Sequence, residues 1–172
     1  MTKHRVTTTY HKGENFAAIG NTSLLKNDLT GFLCSRKCPA SKILEAHETC
    51  KAWASDPTKT VISGFHSPVE QECLRLLLQG QANIIYFPAR EIEHLRIRKE
   101  WRPALKENRM LIITLESFKN RRMSRTETEL RNNLIAELAK SVYIPYAAKD
   151  GQLERLSFEV CPGPVHVDKV VV

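Results

Sequence analysis

The sequence of 172 residues has no long hydrophobic run. Nowhere does it approach the ~20 consecutive apolar residues that a membrane-spanning helix needs, and its charged opening stretch lacks the apolar centre of a signal peptide. It also has no internal repeat and no low-complexity tract. These absences argue against a membrane partner and predict a soluble, cytoplasmic protein.

Cysteine is too scattered to predict a metal centre or a disulfide framework. The five cysteines are odd in number, and the closest two, Cys34 and Cys38, have the spacing CxxxC. A structural zinc site needs a second close pair or a histidine cluster, and the sequence offers neither. We therefore expect buried or incidental thiols, no bound metal and no cofactor.

The chain does contain enough apolar material for a core, and an excess of positive charge. Hydrophobic residues make up 42% of it, which suits one domain of this length. The formal net charge of +7 favours polyanionic partners over cationic ones. A nucleic acid or a nucleotide is therefore the first class of partner to consider.

The segment at residues 60–80 organises the rest of the chain. A β-branched run at Thr60–Ile62 leads into a turn at Ser63–His66, and a helix follows as far as Gly80. Ser67 and Glu70 have the spacing of a capping box, in which each side chain accepts the other's backbone N–H. Because a helix N-terminus presents unpaired N–H groups and a positive dipole end, this turn is a natural place for a phosphate.

Strand and helix patterns alternate along most of the chain. Short apolar runs predict the strands Leu29–Cys34, Thr60–Ile62, Ala82–Phe87, Met110–Leu115 and Ser141–Ala147, with Leu156–Val160 as a sixth strand and Val165–Val172 as an edge segment. Helical patterns cover 41–56, 67–80 and the stretch opened by Ser124 and Glu127, and Pro103 divides 91–108 into two short pieces, the second starting near Arg102. This alternation predicts an α/β fold, a doubly wound, mostly parallel sheet with helices on both faces and ligands at the carboxyl ends of its strands.

Basic and titratable residues fall at that predicted edge. Arg36 and Lys37 follow the first strand, and the loop Lys119–Arg125 carries four positive charges and no acid. Both suit contacts to phosphates, with a merely solvated loop as the alternative. His66 precedes a helix N-terminus, which disfavours its protonated form, so it can donate to a phosphate, act as a base, or only make a local hydrogen bond.

The order of these motifs resembles the family of DNA-processing protein A (DprA/Smf), in particular its short, single-domain members. The resemblance spans about residues 16–164 and rests on Gly20-Asn21 with Leu24-Leu25, the strand ending in Ser35-Arg36, Ile62-Ser63-Gly64-Phe65, the strand running into Pro88-Ala89-Arg90, and Arg131-Asn132. It implies a Rossmann-like fold and a role in handling single-stranded DNA during recombination or uptake. It also implies that Ser35-Arg36, Ser63-Gly64 and Arg131-Asn132 line the ligand edge.

With this resemblance, we divide the chain into an N-terminal appendage at 1–28, a Rossmann-like domain at 29–164 and a C-terminal tail at 165–172. The predicted residues for binding a nucleic acid or phosphate are Ser35, Arg36, Ser63, Gly64, His66, Ser67, Arg90, Arg122, Arg131 and Asn132.

Non-catalytic binding of single-stranded DNA or nucleotide phosphates is the first hypothesis for function, with no catalytic residues assigned. A nucleotide-sensing or nucleotide-hydrolysing enzyme, with His66 or Glu70 as base, is the second. The Pro-Gly-Gly-x-Gly-Thr signature of the related phosphoribohydrolases is absent from the sequence. A homo-oligomer assembled through the edge segment Val165–Val172 is the third.

Overall fold

The computed structural model describes residues 5–159 and 165–167, and the strands among them form one sheet. They are β1 (Thr7–His11), β2 (Glu14–Gly20), β3 (Leu29–Phe32), β4 (Thr60–Ser63), β5 (Asn83–Tyr86), β6 (Met110–Leu115), β7 (Ser141–Ile144) and β8 (Val165–Val167). Their order across the sheet is β1-β2-β6-β5-β4-β3-β7-β8.

The centre of the sheet is parallel and one edge is antiparallel. Strands β6, β5, β4, β3 and β7 pair in parallel, and β8 adds a parallel strand beside β7. At the other edge, β2 runs antiparallel to β6, and β1 antiparallel to β2. Residues 7–20 of the predicted N-terminal appendage therefore extend the main sheet, while the proposed boundary at residue 28 stays a prediction. Of the predicted edge segment Val165–Val172, residues 168–172 lie outside the described part.

The helices are α1 (Ala40–Ala54), α2 (Pro68–Gln79), α3 (Arg102–Lys106), α4 (Arg125–Leu138) and α5 (Gln152–Glu159). Short 3-10 turns at Thr22–Lys26 and Lys99–Trp101 complete the regular structure of the described residues. The predicted break within 91–108 is confirmed, because α3 begins at Arg102 directly after the second of these turns.

Helices cover both faces of the sheet. Successive residues of a strand point to opposite faces, and in β5 this sends Ile84 and Ile85 into different cores. Ile84 lies in a buried cluster with residues of α1 and α2 such as Leu77. Ile85 lies in a second cluster with Leu134 of α4 and Leu156 of α5. The predicted α/β class, with a mostly parallel Rossmann-like sheet, is confirmed.

The sixth predicted strand is wrong. Instead of a strand at Leu156–Val160, the structure has the helix α5 at Gln152–Glu159, and Val160 lies outside the described residues. Leu153 and Leu156 are both buried in the cluster that contains α4. Their spacing of three residues puts them on one face of a helix, and this packing decides the conformation of a segment too short to show a clear period.

Candidate functional site

The turn between β4 and α2 is built as the sequence predicted. Pro68 is the first residue of α2, and Ser67 is its N-cap, whose hydroxyl accepts the backbone N–H of Glu70 at 3.3 Å. Glu70 Oε2 accepts the backbone N–H of Ser67 at 3.0 Å, which completes the capping box. Ser63 lies beneath the turn, fully buried, and its hydroxyl accepts the N–H of Phe65 at 3.0 Å.

Glu70 does more than cap its helix. Its Oε1 accepts the backbone N–H of Cys34 at 2.9 Å, beyond the end of β3, and its Oε2 also accepts the N–H of His66 at 2.6 Å. The side chain is only 4% exposed. One carboxylate thus joins the loops that follow two neighbouring parallel strands, and both of its oxygens are occupied by backbone donors.

Arg131 of α4 reaches under the same turn. Its guanidinium donates from Nη1 to the carbonyl of Phe87 at 2.9 Å and from Nε to Asn132 Oδ1 at 2.8 Å, and the residue is 2% exposed. A Cβ atom on Gly64 would lie 1.4 Å from Nη1. The turn therefore needs glycine at position 64, because the guanidinium fills the space that any side chain would occupy.

Two influences on the pKa of this buried arginine oppose each other. Burial lowers the pKa of the Arg131 guanidinium, and the negative charge of Glu70 acts in the opposite direction. An arginine stays protonated in either case. It therefore places a permanent positive charge beneath the turn, where it favours an anion above it.

Asn132 connects the site to the helix that the sequence did not predict. Its amide Nδ2 donates to Gln152 Oε1 at 2.6 Å, and Gln152 is the first residue of α5. Gln152 Nε2 in turn lies 3.5 Å from the carbonyl of Glu129. The chain after β7 is thereby fixed against α4.

A cleft of about 470 Å³, which we name the first cleft, lies above these contacts at the carboxyl ends of β3 and β4. Six of the ten predicted residues line it, together with Cys34, Glu70, Ser124, Arg125 and Gln152 among others. The six are Ser35, Arg36, His66, Ser67, Arg131 and Asn132. Both Ser67 and Ser124 are N-cap residues, so the N-termini of α2 and α4 meet at this cleft.

Within the first cleft, the predicted residues differ in accessibility. Arg36 is exposed, whereas Arg131 is buried beneath the surface. Ser35 is held by the chain itself, since its hydroxyl accepts the N–H of Ala148 at 2.9 Å and its N–H donates to the carbonyl of Tyr146 at 3.0 Å. The exposed groups that can contact a ligand are therefore different from the groups that shape the cleft.

A second hollow of about 390 Å³ adjoins the first cleft and shares His66 and Met123 with it. It contains the remaining predicted residues apart from Ser63. Its polar and charged lining is Gly64, His66, Gln71, Arg90, Arg98, Arg121 and Arg122, with the aromatic residues Phe65 and Tyr86. Among the described residues, no aspartate or glutamate lines this hollow.

Sequence reasoning missed Arg98 as a member of the site, and it placed Arg121 there only as part of the basic loop. Arg98 lies in a stretch of alternating charges that indicates a solvated, self-paired face. In the structure its guanidinium carbon instead lies 5.4 Å from the centre of the Trp101 ring. Arg121 belongs to the basic loop Lys119–Arg125, and Glu91 Oε1 lies 3.7 Å from its Nε.

The environment of His66 favours its neutral form. Burial is the largest influence that lowers the pKa of its imidazole, and the charges of Arg131 and Arg36 lower it further, while Glu70 opposes them. The sequence predicted this direction from the helix dipole. The structure confirms the direction and gives burial and two arginines as its main causes.

The described residues include histidines, acidic side chains and four cysteines. No group of three or more His, Cys, Asp or Glu side chains among them is placed to hold a metal ion, and Cys34, Cys38, Cys50 and Cys73 are free thiols. Burial raises the pKa of the Cys34 thiol, which lines the first cleft. None of the helices in the described ranges has the length and hydrophobicity to cross a membrane.

Fold and site together define a Rossmann-like domain with a basic cleft at the carboxyl ends of its parallel strands. A comparison with protein-family models matches residues 4–158 to the family of DNA recombination-mediator protein A. The chain belongs to this family, as the sequence resemblance predicted. A comparison with curated protein sequences gave no match.

The solved structures that share this fold include two of DNA processing protein A. DNA processing protein A from Helicobacter pylori, described for its unique single-stranded DNA binding mode, has a TM-score of 0.71 and 15% identity, and the alignment covers 94% of this chain and 80% of that one. DNA processing protein A from Streptococcus pneumoniae has a TM-score of 0.65 and 16% identity, with 88% of this chain and 53% of that chain covered. This chain therefore spans about half the length of the S. pneumoniae chain.

Proposed function

We propose that this protein binds single-stranded DNA through its phosphates, in the cytoplasm and without bond chemistry, as part of DNA recombination or uptake. The observation that carries the proposal is the continuity of two basic hollows. The first cleft and the second hollow meet at His66 and Met123, and arginines line both; Glu70 and Glu129 also line the first cleft, whereas no described carboxylate lines the second hollow. A row of cations along one edge suits a chain of phosphates better than a single one.

Family membership supports this assignment. The chain belongs to the family of DNA recombination-mediator protein A, and the H. pylori protein with the same fold binds single-stranded DNA. The proposed contacts are exposed or half-buried cations, namely Arg36, Arg90, Arg98, Arg121 and Arg122. Arg131 contributes its charge from below, and Ser63, Gly64 and Glu70 hold the turn.

The hydrogen bonds that Glu70 accepts favour a binding function over catalysis. The enzyme hypothesis offers His66 or Glu70 as the base, and the Glu70 carboxylate is already engaged, because both of its oxygens accept backbone N–H groups. A nucleotide sensor is the second candidate, because the volume of the first cleft, about 470 Å³, falls within the range of small-molecule sites.

Fluorescence anisotropy with a labelled oligothymidylate tests the proposal. We expect the logarithm of affinity to fall linearly with the logarithm of salt concentration, by about 0.7 per phosphate contact on single strands. Arg36→Gln should weaken binding, whereas Lys37→Gln, an exposed neighbour that does not line the first cleft, should not. A salt-insensitive or absent interaction would overturn the proposal. A melting shift with mononucleotides alone would instead support the nucleotide sensor.

A further inference from the structure

A third hollow of about 530 Å³ lies beyond the second, between α2 and the 3-10 turn at Lys99–Trp101. Leu74 and Leu78 of α2 form one side of it. Phe65, Tyr86, Arg98 and Gln71 line both this third hollow and the second. The surface is therefore continuous from the first cleft to the third hollow.

Three aromatic rings meet where the second and third hollows join. The ring centres of Tyr86 and Trp101 are 5.0 Å apart at 63°, and those of Phe65 and Tyr86 are 6.3 Å apart at 34°. Arg98 lies over the Trp101 ring. Tyr86 is half-buried, whereas Phe65 and Trp101 are only 5% and 3% exposed, so Tyr86 is the most accessible of the three rings.

The second and third hollows differ in charge, and this difference favours a phosphate in one and an uncharged base in the other. The second hollow is lined by arginines and by no described carboxylate, so it attracts phosphate. The third hollow is lined by Glu72 and Glu100 as well as Arg75 and Arg98. Arg75 is already bound to Glu72 through Nε at 2.8 Å. A phosphate is therefore disfavoured in the third hollow, and an uncharged planar group is favoured.

We propose that the third hollow is a subsite for an unpaired nucleobase, stacked against Tyr86, of the same strand whose phosphates occupy the second hollow. This inference rests on the proposed function and deepens it. The ligand is then an oligonucleotide that crosses all three hollows, and a mononucleotide fills only a part of the surface. Stacking tolerates any base, because each base has an aromatic face, and it requires that the base be free of a complementary strand.

An abasic strand separates the base contribution from the phosphate contribution. We would measure the affinity of an oligothymidylate and of an oligomer with the same phosphates but tetrahydrofuran in place of each nucleoside. The wild-type protein should bind the thymidylate about tenfold more tightly, the size of effect expected for base stacking on an aromatic ring. Tyr86→Leu should remove this preference while leaving the affinity for the abasic strand unchanged, and Tyr86→Phe should retain it.

Tryptophan fluorescence is a second test, and it requires no substitution in the third hollow. The chain has two tryptophans, and Trp53 packs away from this surface against Phe32 and Tyr143. In the Trp53→Phe variant, thymidylate should change the emission of Trp101, and the abasic strand should not. Equal affinity for the two strands with unchanged emission would overturn the subsite and leave the phosphate site standing. Absence of binding to either strand would overturn the proposed function with it.

Discussion

The guanidinium of Arg131 occupies the space in which a Cβ atom of Gly64 would lie, with Nη1 only 1.4 Å from that position. The two residues are distant in the chain, one in the turn after β4 and the other in α4. Hydrogen bonds to Phe87 and Asn132 hold the guanidinium in place. The absence of a side chain at position 64 therefore leaves room for a permanent buried charge beneath the turn.

Gly64→Ala should destabilise the protein by about 3 kcal/mol, because the guanidinium cannot retreat without losing its hydrogen bonds. Urea unfolding measures this loss. In an Arg131→Met background the same substitution should cost much less, since the colliding group is gone, so the two effects should differ from additivity by more than about 1 kcal/mol. Additive losses would show that the turn relaxes without involving Arg131.

Glu70→Gln should cost about 2–4 kcal/mol in the free energy of unfolding. The carboxylate accepts backbone N–H groups of Cys34, His66 and Ser67, and an amide would turn an N–H toward at least one of these donors. Glu127→Gln is the matched control. Glu127 is the equivalent capping-box residue of α4, where glutamine serves equally well, so its loss should stay below about 1 kcal/mol. Equal losses would mean that Glu70 acts only as a cap.

The stability of the protein should fall as the pH is lowered through the titration of His66. The pKa of this imidazole is lowered below its ordinary value of 6.5 in the folded state, so the unfolded chain binds a proton first. The contribution of the neutral His66 imidazole to stability is therefore fully present above pH 6.5 and is lost as the pH falls through the folded-state pKa. His66→Gln should flatten this part of the curve. The pKa of His11 is also lowered, so His11→Gln serves as the comparison.

Phosphate binding should reverse the preference of His66 for its neutral form, since a negative charge beside the imidazole favours the protonated form. Affinity for oligothymidylate should accordingly rise as the pH drops from about 7.5 to about 5.5, and more so in the wild-type protein than in His66→Gln. Anisotropy titrations of both proteins at the two pH values measure this change in affinity. An identical increase in both proteins would assign the effect to other groups.

Arg122→Gln should weaken oligonucleotide binding and reduce its salt dependence by about 0.7 in the logarithmic slope, the value for one phosphate contact on a single strand. Lys106→Gln removes the same charge at the end of α3, which precedes the amino end of β6 whereas Arg122 follows its carboxyl end, and should change neither quantity. An equal effect of the two substitutions would indicate that binding responds to the net charge of the protein and that Arg122 makes no specific phosphate contact.

Local patterns in the sequence predicted much of this protein. The capping boxes at Ser67 and Ser124, the position of Arg102 at the start of a helix and the core strands are all visible in short windows, because their interactions join residues a few positions apart. The family resemblance predicted that residues from three separate segments would meet at one edge. In the structure Ser35 and Asn132 line the first cleft, whereas Gly64 lines the second hollow and Ser63 is buried beneath the turn.

The remaining features were decided by packing between distant segments. The pattern at Leu156–Val160 predicted a strand, and the structure instead has the helix α5, whose Leu153 and Leu156 are buried in the cluster with α4. The second acceptor role of Glu70, toward Cys34, exists only because β3 and β4 are neighbours in the sheet.

The sequence by itself determined where α2 and α4 begin, where the core strands lie and which chain segments carry the positive charge, since these depend on residue type and near neighbours. Only the tertiary structure decided that Arg131 is buried beneath Gly64 while Arg98 and Arg121 reach a hollow beside it. The reason is that the exposure of a long side chain depends on which other elements the sheet topology brings against it, and no local pattern records that arrangement.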